Sequence, residues 1–244
     1  MKRKAFNWTL PSEIESRLGD TSYGRQRAIL GGDHLLIVLH LVPAPGETER
    51  EALVILRKPD GRFLANGFEG GDHQLRKLLS DYRARFEQLD SMYDAANTPD
   101  ALFALLEQLV PVNRASTHLA DALQSARDLV KEDRFLIAVR DEAYEVSRSF
   151  DLLVADARLK LDYRMAKDAE LQSMQGARLA AAQHKLNVLA ACTLPVTALA
   201  GILGMNIAHG LEDRSPLVFW VVLVLGFLIG FAVKAWVVAR STKS

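Results

Sequence analysis

The chain has 244 residues, is 49% hydrophobic and 25% charged, and balances 30 Lys and Arg against 30 Asp and Glu. This composition excludes a disordered chain, and the neutral balance argues against a protein that binds nucleic acid. A single cysteine excludes an intrachain disulfide framework and a cysteine-rich zinc module.

Residues 1–70 are typical of a small cytoplasmic α/β region. Short apolar, partly β-branched runs predict strands, and Pro11 and Gly19 bracket a short predicted helix at 12–18. The KPDG sequence is a turn signal that pairs the last two strands as a hairpin. The predicted strands lie at 27–30, 35–42, 52–57 and 62–65.

Residues 71–131 predict cytoplasmic helices. Apolar side chains recur with a helical period over 73–95, and Asn97, Thr98 and Pro99 mark a break and a new start. A second helix is predicted over 100–130, which Pro111 kinks or splits.

The segment 132–206 predicts one long stalk helix. Between residues 134 and 205 the chain contains one proline and three glycines, so a helix of about 70 residues is expected. A helix of this length does not support itself in water and needs partners.

One face of that helix follows a heptad phase. Alternating steps of four and three back from Gly201 select residues that are mostly small or mildly polar, where a dimeric coiled coil would place large aliphatic side chains. Such a face suits helices grouped around a shared, wet axis, and it equally suits close packing on one other helix. The positions are Gly201, Thr197, Leu194, Ala190, Asn187, Gln183, Ala180, Gly176, Ser173, Ala169, Ala166, Asp162, Leu159 and Ala155.

The C-terminal third predicts a membrane hairpin. Only four charged residues lie between 186 and 239, and the stretches 186–205 and 217–239 are long enough to span a bilayer, the second with Lys234 reaching toward the headgroups. Basic residues flank both ends of the hairpin. Arg178 and Lys185 precede it, and Arg240 and Lys243 lie in the tail 240–244. The positive-inside rule therefore predicts two spans, cytoplasmic termini and an outer loop at 207–216, and we expect the inner membrane.

The end of the first predicted span carries a specific motif. Gly204, Met205 and Asn206 end a membrane helix, lie downstream of Pro195 and Thr197, and precede a short loop and one last span. This arrangement resembles the CorA family of divalent-cation channels, two-span proteins with a Gly-x-Asn signature. The chain is short for that family, and the likeness is strongest over 183–239.

The resemblance implies an α+β membrane protein that forms a homopentamer in the lipid bilayer. It implies that the first span lines a pore, that the second forms an outer ring, and that Gly204, Met205 and Asn206 lie at the outer mouth. The positions it places along the pore coincide with those of the heptad phase and favour the shared axis. They are Gln183, Asn187, Ala190, Leu194, Thr197 and Gly201.

The chemistry of this motif suits Mg²⁺, which dehydrates reluctantly. Asn206 is expected to hold the hydrated ion through water, at a neutral site that releases it readily. Glu212 and Asp213 of the outer loop either attract cations or form an ordinary solvated loop. No resident cofactor is expected. The expected transported ion is Mg²⁺, with Co²⁺, Ni²⁺ and Zn²⁺ as alternatives.

The sequence contains no HExxH, GxSxG or CxxC motif, so no enzyme activity is expected. His184 and His209 could contact a softer metal, and Asp141, Glu142 and Glu145 could form a cation site between subunits, although solvated side chains are the alternative in each case. Two other functions stay open: a Zn²⁺ transporter of the same fold, and a non-conducting membrane scaffold or sensor.

Overall fold

The computed structural model describes residues 8–20, 22–44, 46, 51–204 and 217–241. It divides into two units, Met1–Ala166 and Lys167–Ser244. In chain order the elements are α1 (Ser12–Glu15), β1 (Arg27–Gly31), β2 (His34–His40), β3 (Ala52–Arg57), β4 (Phe63–Ala65), β5 (Phe68–Glu69), α2 (Gly71–Ala95), α3 (Pro99–Leu129), α4 (Arg134–Leu203) and α5 (Leu217–Ser241).

The five strands form one antiparallel sheet in sequential order. Residues on each strand alternate between the two faces of the sheet, and here both faces are covered. One face, with Leu35, Ile37 and Ile55, packs against α2, α3 and the first part of α4. The other face, with Leu36 and Val54, packs against the N-terminal segment. The small sheet and the long helix expected from the sequence are therefore confirmed.

The β3–β4 hairpin closes where the KPDG sequence predicted it. Gly61 donates its N–H to the carbonyl of Lys58 at 3.0 Å, and Lys58 donates to the carbonyl of Arg62 at 2.8 Å. The chain then turns into β5, a short strand that the sequence did not predict, which pairs Phe68 with Ala65.

Gly71 allows α2 to start directly against this hairpin. A Cβ at Gly71 would lie 2.7 Å from the carbonyl carbon of Leu64 and 2.8 Å from its oxygen. Backbone atoms cannot move aside as a flexible side chain can, so this position requires glycine. The glycine-rich stretch before α2 therefore serves close packing on β4.

Helix α3 begins at the predicted break. Thr98 accepts the N–H of Ala101 on its hydroxyl at 3.3 Å, and Pro99 takes the first helical position, where a missing N–H costs nothing. The helix runs through Pro111 instead of splitting there. Leu109 and Val112 on either side are both buried in the core, and this packing keeps the helix continuous.

The predicted helix at 12–18 is wrong in its length. α1 ends at Glu15, after which Arg17 and Leu18 donate to carbonyls only three residues back. These tighter bonds turn the chain toward Gly19 and end the helix early.

The second unit contains the end of α4 together with α5. Among the described residues, α4 includes one stretch long and apolar enough to cross a membrane, and Phe219–Ala235 is an apolar helix below that length. The second span, and the domain boundaries drawn from the sequence, therefore stay predictions.

Candidate functional site

The six positions proposed to line a pore lie on one side of α4 and are all exposed in the single chain, Leu194 at 64%. Helix α5 covers a different side. The half-buried residues of α4 in this part of the helix are Val188, Ala191, Cys192, Pro195, Val196 and Leu199. Four of them, Ala191, Cys192, Val196 and Leu199, lie beside Gly226 and Gly230 of α5. Cys192 therefore lies off the six-residue face, as the sequence indicated, and the face itself is left without a partner among the described residues of one chain.

Two glycines of α5 set how closely it approaches α4. A Cβ on Gly226 would lie 3.3 Å from side-chain atoms of Val196 and of Leu199. A Cβ on Gly230 would lie 2.9 Å from the carbonyl oxygen of Cys192 and 3.2 Å from that of Ala191. The later glycine on α5, Gly230, therefore contacts the earlier residues on α4. This order shows that α5 packs antiparallel to α4.

The close approach at Gly230 falls where α4 has a gap in its hydrogen bonding. Pro195 has no N–H, so the carbonyl of Ala191 lacks its usual donor four residues later. The α5 backbone at Gly230 reaches that carbonyl because no side chain intervenes, a geometry typical of helices that pack through small residues in membranes. The Gly226–Gly230 spacing is the signal in the sequence that could have predicted this contact.

Two threonines of α4 donate to their own helix. Thr197 donates its hydroxyl hydrogen to the carbonyl of Thr193 at 2.9 Å, and Thr193 donates to the carbonyl of Leu189 at 2.9 Å. Each hydroxyl oxygen keeps lone pairs that can accept a hydrogen bond. At Thr197, on the exposed face, this acceptor is available to water or to a hydrated ion.

Helix α4 ends at Leu203, directly before the Gly204, Met205 and Asn206 sequence. The N–H of Gly204 donates to the carbonyl of Ala200 at 2.9 Å, and the last carbonyls of a helix have no partner within it. Gly204 is exposed. Met205, Asn206, His209, Glu212 and Asp213 lie outside the described residues.

The acidic group at the start of α4 does not assemble a metal site within one chain. Glu142 lies 3.3 Å from an arginine nitrogen of Arg83, and Asp141 lies 3.2 Å from Nε of Arg140. Glu145 lines a cavity of about 240 Å³ beside Arg83. No set of three His, Cys, Asp or Glu side chains among the described residues could hold a metal ion. His184 is exposed.

A family model described as CorA-like Mg²⁺ transporter protein matches residues 18–240. No curated protein matches the chain.

The structure of the full-length CmaX protein is 18% identical, with a TM-score of 0.51 over 98% of this chain and 83% of that one. The cytoplasmic domain of ZntB from Vibrio parahaemolyticus is 10% identical, with a TM-score of 0.51 over 66% of this chain and 80% of that one. The CorA magnesium transporter from Methanocaldococcus jannaschii is 16% identical, with a TM-score of 0.43 over 86% and 78%. The first two likenesses show the fold.

Proposed function

The chain belongs to the CorA-like Mg²⁺ transporter family, and from this premise we propose that five copies form a passive channel for hydrated Mg²⁺ in the inner membrane. In this channel α4 lines the pore, α5 forms the outer ring, and both termini are cytoplasmic. Gly204, Met205 and Asn206 form the outer mouth, where five Asn206 amides hold the ion through its water.

The exposed face of α4 is the observation that supports this function best. Gln183, Asn187 and Thr197 offer amide and hydroxyl oxygens, and no charged side chain lies on this face from Gln183 to Gly201. An ion that keeps its water can pass such a lining without being trapped, because neutral oxygens bind it weakly.

The narrowest apolar point of this lining is proposed at Leu194. Its side chain is 64% exposed and lies between the positions of Ala190 and Thr197. A ring of leucines excludes water when the pore is tight and admits it when the pore widens, which is a gate by dewetting.

The driving force needs no nucleotide. Two charges that cross 100 mV gain about 4.6 kcal/mol from the membrane potential, which is enough to drive inward flow. This supports a channel over a pump.

Metal uptake into liposomes tests the proposal. Purified protein with Asn206→Ala should lose most of its Mg²⁺ uptake, whereas Asn97→Ala, an exposed asparagine between α2 and α3, should transport like the wild type. Equal uptake by the wild type and Asn206→Ala would contradict the assigned mouth.

The same assay separates the competing functions. Mg²⁺, Co²⁺, Ni²⁺ and Zn²⁺ are compared side by side, with and without an inward proton gradient. Zinc uptake that rises with the proton gradient would favour a Zn²⁺ transporter. Absence of uptake for every cation by a well-folded pentamer would favour a scaffold or sensor.

A further inference from the structure

The charges of the second unit are distributed unevenly. Between residues 171 and 244 the only Asp or Glu residues are Glu212 and Asp213, in the predicted outer loop. At the opposite end of the predicted hairpin, the basic residues whose side chains the structure describes are Arg178 and Lys185 on α4 and Lys234 on α5. The cytoplasmic end of the hairpin therefore carries cations, and this part of the sequence supplies no carboxylate to pair with them.

These three cations have no protein partner among the residues that the structure describes. In the first unit, by contrast, Arg57 and Arg83 lie 2.6 Å and 3.3 Å from carboxylate oxygens. Arg178, Lys185 and Lys234 form neither a hydrogen bond nor an ion pair with any described residue. Their counter-charge must therefore come from outside this part of the chain.

Arg178 and Lys185 lie on the side of α4 that packs against α5. Seven residues make about two helical turns, so steps of seven from Arg178 lead to Lys185, Cys192 and Leu199 on the same side. Cys192 and Leu199 lie beside the two glycines of α5. Lys185 is two residues beyond Gln183, which is about 200° around the helix from the proposed pore face. In the proposed channel the two cations are thus on the side of the lipid.

Lys234 lies close to the level of Lys185. It is one turn beyond Gly230, which contacts Cys192, and the two helices are antiparallel. With a rise of 1.5 Å per residue, Lys185 lies only about 4.5 Å further toward the cytoplasm, a difference that a lysine side chain spans. Lys234 is half-buried, and its Nζ lies 5.9 Å from the centroid of the Phe231 ring. The ring attracts the charge without neutralising it.

We propose that Arg178, Lys185 and Lys234 form a binding site for the headgroup of an anionic phospholipid of the cytoplasmic leaflet, beside the groove between α4 and α5. The proposal rests on the membrane hairpin of the proposed function and gives it a lipid partner. Phosphate oxygens accept hydrogen bonds from ammonium and guanidinium groups, so the headgroup supplies the missing counter-charge. Lys234 benefits because an unpaired charge near the hydrocarbon is costly.

Native mass spectrometry of the full-length protein in detergent tests this site. The protein is titrated with phosphatidylglycerol or with phosphatidylcholine of the same acyl chains, and the wild type should bind phosphatidylglycerol more tightly. Arg178→Gln, Lys185→Gln and Lys234→Gln should each weaken its binding about fivefold, which corresponds to about 1 kcal/mol per basic side chain near an anionic surface. Binding of phosphatidylcholine should not change, and Lys185→Arg should bind phosphatidylglycerol like the wild type.

Lys167→Gln is the matched control. Lys167 is exposed on the same helix but lies 18 residues before Lys185, about 27 Å further from the membrane. This variant should bind phosphatidylglycerol like the wild type. An equal loss in Lys167→Gln would show a general attraction between charges and overturn the site.

Three further outcomes would overturn the proposal. They are equal affinity of the wild type for the two lipids, unchanged binding in all three glutamine variants at the cytoplasmic end, and displacement of phosphatidylglycerol by an equimolar amount of inorganic phosphate. The last would show that the site takes a free anion.

Cation uptake is measured separately, in phosphatidylcholine vesicles with and without phosphatidylglycerol. Selective binding of phosphatidylglycerol without uptake in either vesicle leaves the lipid site standing and refutes transport. Uptake by a protein that binds both lipids equally supports transport and refutes the lipid site.

Discussion

Arg57 at the end of β3 donates from Nε to Oδ2 of Asp133 across 2.6 Å, and the side chains of both residues are largely buried. The other oxygen of the same carboxylate accepts the N–H groups of Phe135 and Leu136, at 2.9 Å and 3.2 Å. Asp133 therefore caps the first turn of α4 while it is held by the sheet. One carboxylate therefore fixes the start of the longest helix to the end of β3.

Removal of this carboxylate should destabilise the protein strongly. Asp133→Ala leaves the Arg57 guanidinium without its partner and two helix N–H groups without an acceptor. We expect the free energy of unfolding to fall by about 2–4 kcal/mol. Thermal unfolding of the full-length chain in detergent, monitored by circular dichroism, measures the accompanying drop in melting temperature.

The matched control for that experiment is Asp141→Ala. Asp141 pairs with Arg140, but its side chain is 62% exposed, and exposed ion pairs contribute about 0–1 kcal/mol. If Asp141→Ala and Asp133→Ala lower the melting temperature equally, the cap at Asp133 contributes little.

The two glycines of α5 should respond differently to alanine. At Gly230 the new methyl group would meet backbone oxygen of Cys192 at 2.9 Å, and we expect a loss of about 1–3 kcal/mol. At Gly226 the neighbours are methyl groups of Val196 and Leu199 at 3.3 Å, which can shift. The higher helix propensity of alanine offsets this contact, so the change should stay within about 1 kcal/mol.

Thermal unfolding in detergent compares the two glycine variants, with Ala232→Leu on the exposed side of α5 as the control. The order of stability should be Gly226→Ala above Gly230→Ala. The reverse order would show that α5 does not contact α4 through Gly230.

Leu194→Ser should raise cation uptake. The substitution replaces the proposed apolar ring with hydroxyls that stay hydrated, and the uptake rate should rise by about tenfold, as expected when a barrier falls by about 1.4 kcal/mol. Liposome flux measures this rate. Leu189→Ser is the control, because Leu189 is equally exposed at 61% but lies off the proposed pore face. A rise with Leu189→Ser and none with Leu194→Ser would place the pore on another side of α4.

Asp60 in the β3–β4 hairpin should titrate below its usual range. The backbone N–H of Arg62 at 3.0 Å and then its guanidinium at 2.7 Å lower the pKa of this carboxyl below its ordinary value of 3.8. The ionised form thus stabilises the fold above pH 3.8, and this contribution is lost as the pH falls below that value toward the pKa of the folded state.

Carboxyl NMR titration checks this shift. Arg62→Gln should raise the pKa of Asp60 toward 3.8, since the guanidinium is gone while the backbone donor remains. The pKa of Asp128 is lowered by hydrogen bonds from Gln124 and Arg127, so it should not move in the same variant. An unchanged pKa at Asp60 would show that the backbone N–H alone sets it.

Local signals in the sequence were enough to predict the hairpin at Lys58–Gly61 and the start of α3, because turn residues and a capping threonine act within a few positions. Contacts between distant residues could not be predicted. Arg57 and Asp133 are separated by 76 positions, and neither residue type indicates its partner. The predicted α1 was too long. Sequence periodicity does not reveal where backbone hydrogen bonds to the third preceding residue replace those to the fourth.

The candidate site was also predictable in its local pattern and not in its contacts between helices. Heptad spacing alone selected the exposed face of α4, and the structure leaves that face uncovered in one chain. The spacing did not indicate which side α5 would occupy, because this depends on Gly226, Gly230 and the missing donor at Pro195 acting together. The motif residues Met205 and Asn206 lie outside the described residues, so their role rests on the family and the proposed experiment.

The hydrogen bond from Thr197 to Thr193 has a consequence for the sign of the permeating ion. Because the hydroxyl hydrogen is committed to the backbone, Thr197 presents electron pairs and no donor at its level of the proposed pore. Chloride needs donors to replace its hydration, whereas the water around a cation offers hydrogens outward. Five such hydroxyls would reject anions without carrying any charge themselves.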